Sequence, residues 1–217
     1  MNKNKKNIII SCILFLVSIF YTLGVKFIDV KNVGVEGTEI GFSSINKFIF
    51  DLIGTNDIWY YITEVLGVFA IFVAVVYAFI GLVQLIKRKD LLKIDKEIIC
   101  LGIFYFVVLI IYVLFEKVVI NYRPILVDGV LEVSYPSSHT MMSLCICCSA
   151  VIVNKFLFKK TNNIKIINIL LLVCSFIIVV GRLLSGVHWF TDILGGVVIS
   201  SFLLMSFYTI LCYLKKK

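Results

Sequence analysis

The sequence predicts an all-α fold, a polytopic membrane bundle of six transmembrane helices with a short interfacial helix in the first outer loop. Three observations carry that expectation. The 217 residues are 61% hydrophobic and 16% charged, with a mean hydropathy of +1.06. A soluble domain of this length exposes too much surface to hide so much apolar side chain. The apolar residues fall into six runs near the roughly 20 residues that cross a bilayer, and the basic residues collect in patches that abut those runs.

The segment "MNKNKK" precedes the first run, Ile8 to Val25. No small-x-small cleavage site closes that run, so it reads as a retained span and not a signal peptide. Residues 26–57 carry Asp29, Glu36, Glu39, Asp51 and Asp57 with several glycines, and read as an aqueous loop with the character of a lid or a lipid-access surface. Within it, "SSINKFIFDLI" places Ile45, Phe48, Ile49 and Leu52 on one helical face with Asn46, Lys47 and Asp51 elsewhere, the pattern of a helix lying in the membrane interface. Span two is expected over 58–86, opening on an aromatic belt of Trp59, Tyr60 and Tyr61. Span three follows over 98–115 without a charge, then span four over 140–158 and span five over 166–184. Span six runs from near Trp189 to the terminal lysines. The whole of 1–217 reads as one integral-membrane domain without internal repeats.

Charge sets the expected orientation. Four patches (Lys3, Lys5, Lys6; Lys87, Arg88, Lys89, Lys93, Lys96; Lys155, Lys159, Lys160, Lys165; Lys215, Lys216, Lys217) hold 15 of the 21 Lys and Arg residues. With both termini inside, all four face the cytoplasm and ten of the 13 acids fall outside, as the positive-inside rule requires. A net charge of +8 is thereby a membrane feature. No basic-aromatic interleaving points to nucleic acid as a partner. All seven cysteines lie in or beside apolar runs, where they read as packing residues and not as a disulfide or metal framework.

The unusual chemistry gathers at the outer ends of spans three to six. "EKVVINYRP" (116–124) closes span three, "YPSSHT" (135–140) opens span four, and "GRLLSGVHWFTD" (181–192) joins spans five and six. Lys117, Arg123 and Arg182 place positive charge there against the positive-inside trend, and guanidinium grips phosphate bidentately. Ser137 and Ser138 at a helix start add hydroxyls and free backbone N–H groups, which suit an anion; taken alone they read as a helix cap. His139 and His188 are the chain's two histidines. His188 and Asp192, four apart, are expected on one helix face, with the carboxylate taking the Nδ1 proton and leaving Nε2 as a neutral nucleophile. A charge inside a span costs about 2.5–3.5 kcal/mol on insertion scales, so such pairs are usually functional. Trp189 and Phe190 read as interfacial anchors, and Thr191 has no assigned role.

These segments resemble the three motifs of the type 2 phosphatidic acid phosphatase family, which includes undecaprenyl pyrophosphate phosphatases and, more distantly, vanadium haloperoxidases. Arg182, His188 and Asp192 match the third motif, Pro136-Ser137-Ser138-His139 the second, and Arg123-Pro124 the end of the first. Three departures stand out. Lys117 leaves five residues before Arg123 where the family has six, so Glu116 holds the lysine's place; Ser138 stands where Gly is commoner; Gly181 replaces a frequent Ser.

The resemblance implies a lipid phosphatase without metal or other cofactor, acting at the outer face on phosphatidic acid, phosphatidylglycerophosphate or undecaprenyl pyrophosphate. His188 would attack phosphorus, Asp192 orient it, and His139 protonate the leaving oxygen and then activate water. Lys117, Arg123, Arg182, Ser137 and Ser138 would hold the phosphate. The two histidines are expected to start in opposite protonation states. Substrate and membrane lipids are the implied partners; oligomeric state is left open. Two other classes fit part of the pattern. His139 and His188 could be axial ligands of an electron-transfer haem, which leaves Arg123, Arg182 and "PSSH" unexplained, or the chain could be a lipid transporter on the same fold.

Overall fold

The computed structural model describes residues 3–215; Lys216 and Lys217 of the fourth basic patch, with Met1 and Asn2, lie outside the described residues. Seven helices follow in order: α1 (Lys3–Phe27), α2 (Ser43–Ile53), α3 (Asp57–Arg88), α4 (Lys96–Lys117), α5 (Ser138–Leu157), α6 (Asn162–Leu184) and α7 (Phe190–Leu214). All but α2 are long and apolar enough to cross a membrane, so the chain is a multi-pass helix bundle. Strand pairing is confined to β1 (Lys31–Asn32) and β2 (Glu39–Ile40), antiparallel with Lys31 opposite Ile40.

Helix α5 is the hub, packed against α3, α4, α6 and α7. It is also the least apolar and most buried of the six spans. The two properties have one cause: a helix that does not meet lipid needs close approach instead of oiliness, and small residues permit it. Ser143, Cys145, Cys147, Ser149 and Ala150 are all buried along it. The outer helices show the converse, with Phe20, Val65, Phe72, Ile103 and Phe176 exposed where acyl chains are the solvent.

Caps and clasps fix the turns. Asn56 accepts the Trp59 amide to start α3, and Thr161 accepts Ile164 N to start α6. Between α3 and α4, Asp95 receives Gln84 Nε2 (2.8 Å) and Arg88 Nη1 (2.7 Å), closing the short connection. Inside the bundle, Tyr77 donates to Asn154 Oδ1 (2.5 Å) and Asn154 to Asn168 Oδ1 (2.7 Å), tying α3, α5 and α6. This up-and-down order brings the C-terminal ends of α4 and α6 together with the N-terminal ends of α3, α5 and α7.

Candidate active site

Beyond Lys117 the chain turns back to α5 through residues 118–137. Arg123 N donates to Glu132 O (3.0 Å) and Ser134 N to Asn121 O (2.9 Å), so this stretch doubles on itself and carries Arg123 inward. Ser137 N then donates to the Asp192 carbonyl (3.0 Å), and the Trp189 indole to Tyr122 O (2.7 Å). A backbone bond therefore joins the second and third motif segments, and the Trp189 indole ties the third to the first.

The turn from α6 to α7 departs from the sequence reading. Gly186 has φ +69°, and a Cβ there would lie 2.2 Å from Gly54 O, so the chain bends sharply against the α2–α3 connection. Helix α7 begins only at Phe190, which leaves His188 outside it. His188 and Asp192 consequently do not share a helix face. Asp192 instead accepts the Trp189 amide (3.0 Å) at the helix start and Asn121 Nδ2 (3.3 Å). The expected His188–Asp192 hydrogen bond is not formed. His188 is buried with no protein hydrogen-bond partner of good geometry on either ring nitrogen, though the Ser134 backbone lies nearby. Burial first, then the positive charges of Arg123 and Arg182, hold its pKa well below the ordinary value, so the ring is neutral.

Arg182 is 1% exposed, on the last turn of α6. Its Nη2 contacts Glu64 Oε1 at 2.7 Å and His139 Nδ1 at 2.5 Å, and its guanidinium lies 5.4 Å from the Tyr60 ring centre. Glu64 Oε2 is also 3.4 Å from His139 Nε2. A guanidinium has no acceptor, so Nδ1 of His139 accepts and the ring proton sits on Nε2, facing Glu64. In this arrangement both histidines are neutral, contrary to the expected opposite states. Glu64 is the residue the motif reading missed. The signal was an acid inside the apolar run of span two, which by insertion cost alone marks a functional position.

The departures acquire physical causes here. A Cβ on Gly181 would stand 2.6 Å from Thr63 Cγ2 and 2.9 Å from Trp59 Cε3, so α3 presses too closely on α6 for the usual Ser. Gly181→Ser is expected to cost about 1–3 kcal/mol by overpacking, measurable as a lower thermal midpoint of the purified protein; an unchanged midpoint would contradict this packing. Lys117 is exposed on the last turn of α4 and lines neither site cavity, whereas Glu116 lines one. A helix turns about 100° per residue, so the one-residue offset points the lysine away and the structure does not bring it to the site.

Two cavities open here, lined among the predicted residues by Arg123, Ser138, His139 and His188, while Ser137, Arg182 and Asp192 are buried and line neither. One, about 20 Å³, is lined by Glu116, Arg123, Ser134, Ser138 and His188. The other, about 210 Å³, runs from Glu64, Ser138 and His139 down to Val68, Met142 and Ile146. Tyr112 and Ser138 border both. Gly67 makes room for His139, since a Cβ would lie 2.9 Å from its Cδ2. Ser137 is the N-cap of α5, yet its buried hydroxyl makes no capping bond. Arg123 Nε lies 3.0 Å from Glu132 Oε2 without hydrogen-bond alignment. Among the described residues, eleven buried side-chain polar atoms lack a protein hydrogen-bond partner, and nine belong to Arg123, Ser134, Ser137, Thr140, Arg182 and His188. Native interiors rarely tolerate such a cluster without a purpose.

The first loop buttresses this site. Asn46 of α2 donates to Thr191 Oγ1 (2.8 Å) and accepts Thr191 N (3.1 Å), while Gly41 N donates to Asn121 Oδ1 (3.1 Å). Phe50 packs on Trp189, with ring centres 5.5 Å apart. Trp189 is therefore a buried tether and not an interfacial anchor, and Thr191 is the point that α2 grips. Meanwhile Phe48 and Leu52 of α2 stay exposed, as an interfacial helix requires. Residues 26–57 thus clamp the motif-three turn and do not hang over the site as a lid.

Comparison with known proteins meets the same motifs. Residues 118–216 match the family model of the PAP2 superfamily. The matched residues include Arg123, Ser137, Ser138, His139, Arg182, His188 and Asp192, and begin one residue after Lys117. No curated protein matches the chain. Among solved structures, the fold is similar to the crystal structure of the first transmembrane PAP2-type phosphatidylglycerolphosphate phosphatase from Bacillus subtilis, with a TM-score of 0.62 and 20% identity over 95% of this chain and 97% of that one. At that identity the likeness establishes the fold, including α1 to α4 outside the matched residues.

Proposed function

We propose that the chain is an integral-membrane lipid phosphatase that forms a phosphohistidine on His188 at the outer face of the membrane. The observation that carries this reading is the cluster of buried, unpartnered donors on Arg123 and Arg182 around a neutral, unpartnered His188. An oxyanion satisfies such donors, and donors aimed at developing charge supply the largest usual share of catalysis.

In this scheme a His188 ring nitrogen attacks phosphorus as the bond from phosphorus to the lipid oxygen breaks. Arg123, Arg182 and Ser137 hold the non-bridging oxygens. As Arg182 Nε and Nη1 engage the phosphate monoanion, the guanidinium moves off His139 Nδ1, which takes the proton of that monoanion while Nε2–H stays on Glu64. His139 then passes this proton to the leaving oxygen. Water next attacks phosphorus, His139 takes its proton and hands it to the departing phosphate, and the P–N bond breaks to restore His188. Asp192 acts at one remove, by fixing the Trp189 amide beside the nucleophile. Glu64 is a positioning residue for His139 and Arg182.

The larger cavity, polar at His139 and apolar at Val68 and Ile146, suits a phosphate on a lipid better than a soluble phosphoester. Phosphatidic acid, phosphatidylglycerophosphate and undecaprenyl pyrophosphate all meet that description. The cavity beside His188 is too small for a haem, and neither of these two cavities is lined by both histidines. Phosphate release from these three lipids by purified protein tests the proposal. Turnover of at least one, undiminished in EDTA, is the expected result. Binding of all three without turnover would point to a transporter, and activity restored only by added metal would overturn the scheme.

A further inference from the structure

At the end of the bundle away from the motifs, the α5–α6 hairpin opens a cavity of about 790 Å³. Lys155 from the last turn of α5, Lys160 from the connection and Lys165 from the first turn of α6 all line it, with Asn168 between them. One or two turns deeper into the bundle the wall becomes apolar, at Val151, Ile169 and Leu172. Lys155 lies sixteen helical steps after His139 on the continuous α5, about 24 Å of rise, so the cavity meets the opposite leaflet from the candidate active site.

The charge there is unanswered. No acid occurs between Glu132 and Asp192 in the sequence. Among the described residues, none of Lys155, Lys160 and Lys165 takes part in an ion pair. The neighbouring α3–α4 turn behaves differently, since Arg88 and Lys93 there are paired with Asp95 and Asp90. An orientation signal requires only that lysines be present in a loop. It does not require lysines from two helices and their connection to border one cavity with an apolar floor.

We propose that this cavity binds an acidic phospholipid of that leaflet, with its phosphate among Lys155, Lys160 and Lys165 and its upper acyl segment against Val151, Ile169 and Leu172. Ammonium groups are mobile point charges that suit a headgroup phosphate without demanding one geometry. A second copy of this chain is a poor occupant, because the same patch would set lysine against lysine. A free anion would satisfy the charge and leave the apolar floor uncovered. The inference does not depend on the phosphatase reading.

Intact protein in detergent, titrated with dioleoylphosphatidylglycerol or dioleoylphosphatidylcholine and read by native mass spectrometry, tests it. The acidic lipid is expected to be retained in preference to the neutral one. The triple variant Lys155→Gln, Lys160→Gln, Lys165→Gln should bind it about tenfold more weakly, given the attraction of each basic residue for an anionic leaflet. Removing three charges from the α3–α4 turn, by Lys87→Gln, Lys89→Gln and Lys96→Gln, should change binding less than about twofold, since none of the three lines the cavity. Equal losses in the two triples would reduce the effect to general surface charge and overturn the proposal. Leu172→Trp fills the floor while keeping every lysine and the orientation signal, so it should also weaken binding, and wild-type affinity in that variant would overturn the proposal independently. Displacement of the lipid by an equal concentration of inorganic phosphate would likewise sink it in favour of a free-anion site.

Discussion

His188→Asn is expected to lower phosphate release by about 10⁴-fold or more, the scale on which loss of a covalent nucleophile is felt. Asparagine keeps the size and polarity of the site but supplies no basic ring nitrogen. Acid-sensitive labelling of the protein by a phosphorus-labelled substrate should vanish in the same variant and be present in the wild type. Retained turnover would remove His188 from the chemistry. The pH profile gives a second reading of the same residue. An ordinary histidine loses nucleophilicity as it protonates near pH 6.5. Burial beside Arg123 and Arg182 lowers the folded value, so the acid limb of kcat/KM should lie well below that pH. The same shift has a cost in stability. Below about pH 6.5 the unfolded chain binds a proton at this position that the folded chain refuses, so stability falls as pH falls. An acid limb at pH 6.5 or above would contradict a buried neutral His188.

The bundle was legible because lipid imposes length and apolarity on every span, and backbone satisfaction leaves helices as the available form. The expected limits of the spans fall within a few residues of α1 and α3 to α7. Helix α2 was legible for the same reason, since Phe48 and Leu52 keep an apolar face outward even though Asn46 turns a polar one inward. The site was less legible, and each failure has a mechanical origin. The i,i+4 rule was applied to His188 and Asp192 across a helix start, where it has no force, because Gly186 bends the chain and α7 begins after Trp189. Lys117 lines neither cavity, while Glu116, about 100° earlier on the helix, lines one. Glu64 was overlooked because motif reading looks along the chain, and α3 reaches the site only through packing against α5 and α6.

Arg182→Lys is expected to reduce kcat by about 10²–10³-fold, the range for losing one preorganised donor at developing charge. Charge is kept in this variant, so a loss of that size isolates geometry. A lysine has one ammonium on a flexible stem, whereas Arg182 presents Nη2 to Glu64 and His139 while Nε and Nη1 remain free for substrate. Glu64→Gln separates the two halves of that division. The amide still bridges toward His139 and Arg182 but removes the carboxylate, so His139 loses the partner that stabilises its proton while Arg182 becomes freer to hold phosphate. Glu64→Gln should therefore lower kcat, leave KM unchanged or reduced, and alter the pH dependence of kcat, a pattern that mere loss of packing does not produce. Arg182→Lys should instead raise KM along with its loss in kcat. If Glu64→Gln behaves as wild type in kcat and pH profile, Glu64 is only a counter-charge that lets a guanidinium sit buried. If it matches Arg182→Lys in both constants, its role is to hold Arg182 alone, and His139 works without it.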